Sequence, residues 1–547
     1  MSSYSVSGHI VDILNKKIFS GTVFVDKGKV VSIRKEPVIE DQYILPGFVD
    51  AHIHIESSML VPSEFARLAV LHGTVATVSD PHEIGNVLGI DGIRYMCENS
   101  KDLPFHIFYG ASPCIPATSF ETSGATISPS DIRSLFEQDN LKYLSEMMNF
   151  EGVLNEDCDV LKKIEIAKCM NKPIDGHSPG LRGERAKKYV TAGISTDHEC
   201  ITLEEAVEKI QYGMKIIIRE GSAAKNYNAL HPLLKSYPDK IMFCSDDKHP
   251  NELIKGHIND IVRLSLEKGY DLMDVLRAAC LHPIQHYGLE VGLLQEGDPA
   301  DFIIINNLKD FKIKSTYIKG ERVAFEGKSL IEPRPIKAIN QFDCSLKTED
   351  DLKIRATGNL INVIKVIPGE LTTEKLIVEA EIENGNYISI KSKDILKLVV
   401  VNRYKNVSPS IAFVKGIGIK EGALASSVAH DSHNIIAVGV DDASLCHAVN
   451  AIIESKGGVC VAQNNKVNLL PLPVAGLMSD QDGFKVAEEY EAIKIKSLEL
   501  GSMLPDPFMT LSFLALLVIP SLKLSDKGLF DVDAFKYISV GVSKSSV

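Results

Sequence analysis

The stretch LPGFVDAHIHIESSML, residues 45–60, holds the pattern that decides the fold. Phe48, Val49 and Ala51 are typical of a buried β-strand, and His52 and His54 follow at its end. Side chains two residues apart lie on the same face of a strand, so both imidazoles point to one side. A pair placed in this way is as typical of a binding site as of hydrogen-bonded packing.

Composition indicates a large globular protein with more than one domain. The chain has 547 residues, of which 45% are hydrophobic and 24% charged, and its formal net charge is −13. That length exceeds what a single hydrophobic core organises. The negative charge argues against nucleic acid as a partner, because such an interface needs a basic face.

Three features of the sequence bear on localisation. The first residues show no signal peptide, and the ten cysteines are scattered without a Cys-x-x-Cys pair. Scattered thiols are typical of the reducing cytoplasm. The longest apolar run, Phe508 to Pro520, is too short to span a membrane, so we predict a buried helix there. We therefore expect a cytoplasmic protein that does not associate with membranes.

Residues 46–290 alternate apolar strands with helical segments, which predicts an α/β fold. Eight such units in about 245 residues match a (β/α)₈ TIM barrel, which typically needs about 250. A doubly wound open sheet is the rival fold, but no Gly-x-Gly-x-x-Gly follows the first strand. The predicted strands are residues 47–53, 74–80, 105–110, 142–150, 172–177, 193–198, 214–220 and 240–246.

The sequence on either side of the barrel has a different texture. Residues 1–45 and 291–335 both read as short strands broken by turns, so we predict that they pair into one small composite β-domain. Residues 340–547 contain alternating strands and a helix that ends at glycines. They are expected to form a separate C-terminal α+β domain.

Polar residues gather where the predicted barrel strands end, which is the edge that carries the functional residues of such barrels. Buried imidazoles and acids that converge on one rim are unfavourable unless a cation holds them. Imidazole and carboxylate donors without thiolate suit zinc, iron or manganese, which predicts a catalytic metal site. In strand order these residues are His52, His54, His82, Glu83, Ser112, Cys114, Glu146, His177, His198, Arg219, Glu220, Ser222, Asp246 and Asp247.

Longer motifs carry a resemblance to known proteins. PGFVDAHIH, the histidines that end strands five and six, and the aspartate that ends strand eight resemble the amidohydrolase superfamily. DAHIHIESSM, SDPHEIGNV, LSEMMNFEGV, DGHSPGL, IREGSAAKN, FCSDDKHP and AHDSHNIIAVG together resemble bacterial-type adenine deaminases. The resemblance runs from about residue 40 to the C-terminus.

The resemblance implies a reaction and its requirements. Adenine, a small-molecule substrate, would be hydrolysed to hypoxanthine and ammonia by hydroxide that is generated at the metal and adds to C6. Two divalent transition-metal ions would be needed, with Mn²⁺ or Fe²⁺ preferred over Zn²⁺. The protein is expected to be a homo-oligomer that serves purine salvage.

The same resemblance assigns ligands and a catalytic residue. Three ligands would hold one ion, two the other, and Glu146 would take the place of the carbamylated lysine that bridges the ions of related barrels. Asp246 would also take the proton of the attacking hydroxide and pass it to the departing amine, and such help contributes about 10²- to 10⁴-fold. The two sets are His52, His54 and Asp246, and His177 and His198.

The remaining roles are predicted less directly. Glu83 would protonate the purine ring nitrogen, which requires a raised pKa, or act as an added metal ligand; a helix N-terminal acid is the alternative. Ser112, Cys114, Arg219, Glu220 and Ser222 are candidates for binding the purine, and Arg219 is equally compatible with a structural ion pair. His82, Asp247 and His249 would orient the ligands. His430, Asp431 and His433 would either cap the barrel mouth or form a turn within the C-terminal domain.

Two other functions remain open. Cyclic amide hydrolysis, as in hydantoinases and dihydropyrimidinases, uses the same barrel, but Glu146 stands where a carbamylated lysine would be expected. A catalytically silent binding module is the second alternative, although all six predicted ligands are present.

Overall fold

The predicted (β/α)₈ barrel is confirmed by the computed structural model, which describes residues 3–222, 224–464 and 466–542. Each predicted strand overlaps an observed one, and all observed pairings between them are parallel. The barrel strands are Phe48–Ile53, Thr74–Ser79, His106–Ala111, Tyr143–Met147, Ile174–Gly176, Thr196–Asp197, Lys215–Arg219 and Ile241–Cys244.

Backbone pairing joins the barrel strands in two runs, the first five in one and the last three in the other. The amide of Ser195 donates to the carbonyl of Ile174 at 2.9 Å, which links the fifth strand to the sixth. A parallel bridge between Ile53 and Asp246 links the end of the eighth strand to the first. This closure brings the histidines of the first strand next to Asp246.

Burial on both faces explains the apolar sequences of the barrel strands. Every residue of the first two strands is buried, as expected when helices cover a parallel sheet. The fifth and sixth strands are shorter than predicted: they begin two and three residues later, at Ile174 and Thr196, and each ends one residue earlier, before His177 and His198. Glycine is required at Gly176, since a Cβ there would lie 2.4 Å from the carbonyl oxygen of Thr196.

Helices occupy the connections between the barrel strands. Most are short, and several begin at a proline or at an aspartate that caps the first turn. The α-helices of this part are Pro62–Ala69, His82–Leu88, Ile90–Asn99, Pro129–Gln138, Phe150–Leu154, Cys158–Cys169, Gly183–Thr191, Leu203–Gln211, Tyr227–Leu230, Leu233–Ser236, Pro250–Leu253, Ile258–Glu267, Leu272–Leu276 and His282–Tyr287.

Strands from both flanks of the barrel share one sheet among the described residues. The segment Tyr43–Pro46 pairs with Tyr4–Asp12 on one side and with Phe302–Ile305 on the other. The other strands of this sheet are Lys17–Asp26, Lys29–Lys35, Ile313–Ile318, Glu321–Phe325 and Lys328–Ser329. This pairing supports the composite β-domain, while the exact domain boundaries stay a prediction.

The C-terminal part is a mixed sheet with helices against it. The helices are Asp442–Glu454, Gly483–Glu499 and Pro507–Phe513. The main sheet contains Leu360–Val366, Thr373–Glu379, Ile395–Val401, Ser410–Lys415, Ala423–Ser426, Ile435–Gly439, Gly458–Gln463, Lys466–Pro471 and Gly541–Val542. Two smaller sheets consist of Ile354–Arg355, Glu381–Glu383 and Asn386–Ile388, and of Leu522–Ser525, Gly528–Asp531 and Lys536–Tyr537.

The apolar run from Phe508 to Pro520 is helical only in its first half. The helix Pro507–Phe513 is capped by the side chain of Asp506, and residues 514–519 follow as turns and irregular backbone. Within the described parts of the chain, we find no helix with both the length and the apolar character needed to cross a bilayer.

Candidate metal and active site

The six predicted ligands meet at the carboxyl end of the barrel. The rings of His52 and His198 stack with their centroids 4.1 Å apart, and the centroid of His177 lies 5.4 Å from that of His198. Side chains that are far apart in sequence therefore surround one small volume. All six are buried: His52, His54, Glu146, His177, His198 and Asp246.

Glu146 lies at the centre of this group. Its Oε1 is 3.3 Å from His54 Nε2 and 3.4 Å from His82 Nδ1. Its Oε2 is 2.7 Å from His177 Nδ1 and 3.2 Å from His198 Nε2. One carboxylate thus faces imidazoles from both predicted ligand sets, which is the placement that a bridging ligand requires.

Asp246 approaches the same group from the eighth strand. Its Oδ1 lies 3.6 Å from His52 Nε2 and 3.3 Å from His54 Nε2, and its Oδ2 accepts a 2.6 Å hydrogen bond from Arg219. The backbone of Asp246 has φ +53°, a left-handed conformation that costs about 1–3 kcal/mol for a residue other than glycine. The bridge to the first strand and the Arg219 contact hold the residue in this conformation.

The donor set fits divalent metal ions. The Nδ1–H of His54 donates to the carbonyl oxygen of Asp80 at 3.0 Å, so its Nε2 turns a lone pair toward the ligand group. The Nε2 of His52 lies 3.2 Å from that atom, and donor atoms of His52, His54 and Asp246 all lie within 4.8 Å of one another. Clustered nitrogen and oxygen donors of this kind suit zinc, iron or manganese.

Electrostatics keep both central carboxylates ionised. Burial favours the protonated form, but the guanidinium of Arg219 and the imidazoles of His52 and His54 hold the pKa of Asp246 well below its usual range. Burial also favours the protonated form of Glu146, but His177 and the neighbouring imidazoles hold its pKa well below the ordinary value. Two ionised carboxylates are therefore available as ligands for a cation.

Glu83 faces the C-terminal part of the chain. Its Oε1 lies 2.6 Å from His430 Nδ1 in an ion pair, and its Oε2 accepts a hydrogen bond from His433 Nε2. The raised pKa that a proton donor at Glu83 requires is not found: despite burial, His430, His82 and His433 lower the pKa of Glu83 well below its usual value. Burial opposes the charge on His430, but Glu83 raises the pKa of His430 to about 9, so the shared proton resides on the imidazole.

His430 and Asp431 line the cavity at the barrel mouth, which matches the capping role and not a turn confined to the C-terminal domain. His433 is fully buried behind them. The two imidazoles and Glu83 therefore fasten the C-terminal part of the chain to the second barrel strand end.

The five predicted purine-binding residues are placed differently from one another. Ser112 donates to Asp80 at 2.6 Å, and Cys114 contacts Met147 through sulfur at 3.8 Å. Ser222 donates to Glu252 at 3.1 Å, and Glu220 forms a backbone bridge with Lys225. Among the residues that the structure describes, Arg219 is the one member of these five that lines the cavity. Their role in binding the purine stays a prediction.

The three residues predicted to orient ligands have distinct contacts. His82 Nδ1 lies 3.1 Å from Asp80 and within 3.4 Å of Glu146, close enough to act as a donor itself. Asp247 accepts a 2.5 Å hydrogen bond from Ser57 and lines the cavity. His249 instead contacts the C-terminal part, with Nδ1 3.2 Å from Asp506.

Arg219 forms the structural ion pair that was the alternative to substrate binding. Two of its nitrogens donate to both carboxylate oxygens of Glu199, and Nη1 also donates to Asp246. Glu199 directly follows His198 in the sequence, but the sequence assigned it no role. Its position next to His198, a predicted ligand, was the one indication in the sequence that Glu199 belongs to the site.

Arg219→Met is expected to lower the free energy of unfolding by about 3–5 kcal/mol, because it leaves Glu199 and Asp246 buried without their cation. Chemical denaturation measures the effect. Arg185→Met is the matched control: Arg185 pairs with Glu151 at the surface, its side chain is 59% exposed, and the loss there is expected to stay below about 1 kcal/mol. Equal losses in the two variants would contradict this account.

A small cavity of about 30 Å³ opens beside the ligand group. Its barrel side is polar apart from Met148, and the rest of its lining includes an apolar wall. The wall comes from the C-terminal part and consists of Leu371, Phe513, Leu516 and Ile519. None of these four was predicted as a site residue, because an apolar run carries the same signal whether it fills a core or faces a ligand.

This barrel with its buried imidazole and carboxylate group defines an amidohydrolase, and residues 43–323 match the amidohydrolase family. Residues 370–536 match the adenine deaminase C-terminal domain. The chain is 56% identical to the adenine deaminase of Sulfurovum sp. (strain NBC37-1), over 97% of this chain and 99% of that one. The chain belongs to the adenine deaminase family.

Two further relatives support the assignment across distant organisms. The adenine deaminase of Salinibacter ruber is 50% identical over 98% of this chain and 99% of its own length. The adenine deaminase of Methanosarcina mazei is 50% identical over 97% of this chain and 98% of its own length. The similarity thus extends through both the barrel and the C-terminal part.

Proposed function

We propose that this chain catalyses the hydrolytic deamination of adenine to hypoxanthine and ammonia at the buried ligand group. The observation that carries the proposal is the position of Glu146, whose two oxygens face imidazoles of both ligand sets beside the cavity. Membership of the adenine deaminase family names the substrate.

The six residues His52, His54, Glu146, His177, His198 and Asp246 would hold two divalent ions, Mn²⁺ or Fe²⁺ by preference. Such ions lower the pKa of bound water from 15.7 toward about 7 and so supply a nucleophile at neutral pH. We infer two ions because donors lie on both sides of Glu146.

Asp246 is the general base and acid of this proposal. Its ionised carboxylate takes a proton from the water oxygen that adds to C6 of adenine, and returns it to the exocyclic nitrogen, which leaves as ammonia. Arg219 fixes one oxygen of Asp246 and leaves Oδ1 directed at the histidines of the first strand. The orientation of the base is thus set before substrate binds.

Besides Asp246, the cavity is lined by a second group that can transfer a proton, the ion pair of Glu83 and His430. We propose that this pair supplies the proton of the purine ring nitrogen during addition at C6. In this proposal His430 carries the proton and Glu83 orients its imidazole, whereas the sequence predicted that Glu83 itself would be the proton donor. Homo-oligomer formation and the cytoplasmic location stay predictions.

Metal-free protein reconstituted with Mn²⁺, Fe²⁺ or Zn²⁺ tests the function. We expect ammonia release from adenine with at least one ion and none from metal-free protein, while hydantoin and dihydrouracil stay intact. His52→Ala should be inactive. His447→Ala, at an exposed histidine of the helix Asp442–Glu454, should have wild-type activity. Full activity without metal, or ring opening in place of ammonia release, would contradict the proposal.

A further inference from the structure

The apolar wall of the cavity is a defined surface, here called the roof: Leu371, Phe513, Leu516 and Ile519. Phe513, Leu516 and Ile519 are each less than 8% exposed and pack together with Met509 and Leu371. All four roof residues lie within the stretch that matches the adenine deaminase C-terminal domain. The roof therefore belongs to the part of the chain that distinguishes this family from other barrels.

The barrel holds one end of the segment that carries the roof. His249 Nδ1 lies 3.2 Å from the carboxylate of Asp506, which caps the helix Pro507–Phe513. The hydroxyl of Tyr490 donates to the same carboxylate at 2.9 Å. At the far end of this helix, the ring of Phe513 stacks on His430 with centroids 4.6 Å apart. The helix thus runs from a barrel anchor to the cavity.

Lys523 fastens the other side of the roof. Its Nζ donates to the carbonyl oxygen of Leu371 at 2.7 Å and to that of Phe513 at 2.9 Å. The side chain is fully buried, and burial is the single cause that lowers the pKa of Lys523 to about 7. Among the described residues no carboxylate pairs with this amine, and the two carbonyls accept hydrogen bonds that offset part of the cost of burying it.

We propose that the roof is the surface that packs on the ring of the purine, and that Lys523 is the positioning residue that joins its two segments. The inference rests on the function proposed above. The polar barrel side of the cavity supplies groups for the edge of the base, where the chemistry takes place. The faces of a planar aromatic ring need apolar contact instead, and the roof supplies four of the five apolar residues in the described cavity lining, Met148 being the fifth.

Phe513→Ala is expected to raise KM for adenine by roughly 5- to 100-fold, the range that alanine substitution of an aromatic stacking on a base produces. Lys523→Met should raise KM in the same direction, by about 5-fold or more, because each segment loses its hydrogen bond. For both variants kcat should change less than KM, and metal content should equal that of wild type. This split distinguishes positioning of the purine from general damage to the site.

Matched controls are available at the surface. Phe535→Ala and Lys485→Met replace the same residue types where the side chains are 63% and 58% exposed, and their KM should equal that of wild type. Should Lys523→Met fail to fold, Leu516→Ala and Phe513→Leu test the same surface. KM within about twofold of wild type for the roof variants, with wild-type metal content, would overturn the inference.

Direct binding separates this inference from the function itself. Calorimetric titration of hypoxanthine, the purine product, into metal-loaded wild type and Phe513→Ala measures the contact with the ring without turnover. If wild type releases no ammonia from adenine, the proposed function fails, and the titration still decides the roof. Tighter binding by wild type supports packing of the roof on the purine ring, and equal binding by the two proteins refutes it.

Discussion

Asp246→Asn is expected to lower kcat for adenine by about 10²- to 10⁴-fold, the contribution typical of a positioned general acid–base group. Asparagine keeps the shape of the side chain but cannot take a proton at pH 7. The carboxylate of Asp246 lies next to His52 and His54 and is held by Arg219, so no other described residue repeats its position. Ammonia release at saturating adenine measures the loss.

The control for this substitution is Asp239→Asn, at an aspartate whose side chain is 76% exposed. We expect wild-type kcat there. Metal analysis of Asp246→Asn accompanies the assay, because loss of an ion would lower kcat for another reason. Retention of more than about a tenth of wild-type kcat would remove Asp246 from the proton transfers.

Glu146→Gln is expected to weaken binding of divalent metal by more than about 100-fold, the upper figure for partners that only support a ligand. Glutamine keeps one oxygen acceptor but loses the charge that faces the imidazoles of His54, His177 and His198. Metal content after dialysis against a buffered free-metal concentration measures the change. Activity should fall with the metal.

Glu151→Gln provides the comparison, since Glu151 follows the same barrel strand but its side chain is 54% exposed. Metal content and activity there should equal those of wild type. A Glu146→Gln protein that retains its full metal complement would show that the carboxylate is not a ligand. Reduced metal in both variants would point to a general loss of structure instead.

Local patterns were sufficient to predict the barrel and the polar ends of its strands. Apolar residues that fill a strand and polar residues that end it occur within a few positions, as in the run from Phe48 to His54. The fifth and sixth strands were predicted too long, mainly at their starts, since the observed strands begin only at Ile174 and Thr196. Strand boundaries depend on hydrogen bonds to neighbouring strands, which a local pattern does not record.

Contacts between distant segments were beyond what the sequence alone could predict. The hydrogen bond from His433 to Glu83 spans 350 residues, and no periodic pattern records such a pairing. His430, another distant residue, is the main group that lowers the pKa of buried Glu83, followed by His82 and His433, so the lowered pKa in place of the raised one was missed. The roof was missed because residues 514–519 have the composition of a buried helix. In the structure they are not helical, and Leu516 and Ile519 line the cavity.

The composite sheet has a consequence for synthesis of the chain on the ribosome. Tyr43–Pro46 emerges early, yet one of its neighbours, Phe302–Ile305, is translated more than 250 residues later. Until then that strand has an open edge, which can template aggregation, and the long loop must close before the pairing is gained. Nascent chains that stall inside the barrel are therefore expected to expose this edge and to be prone to aggregation.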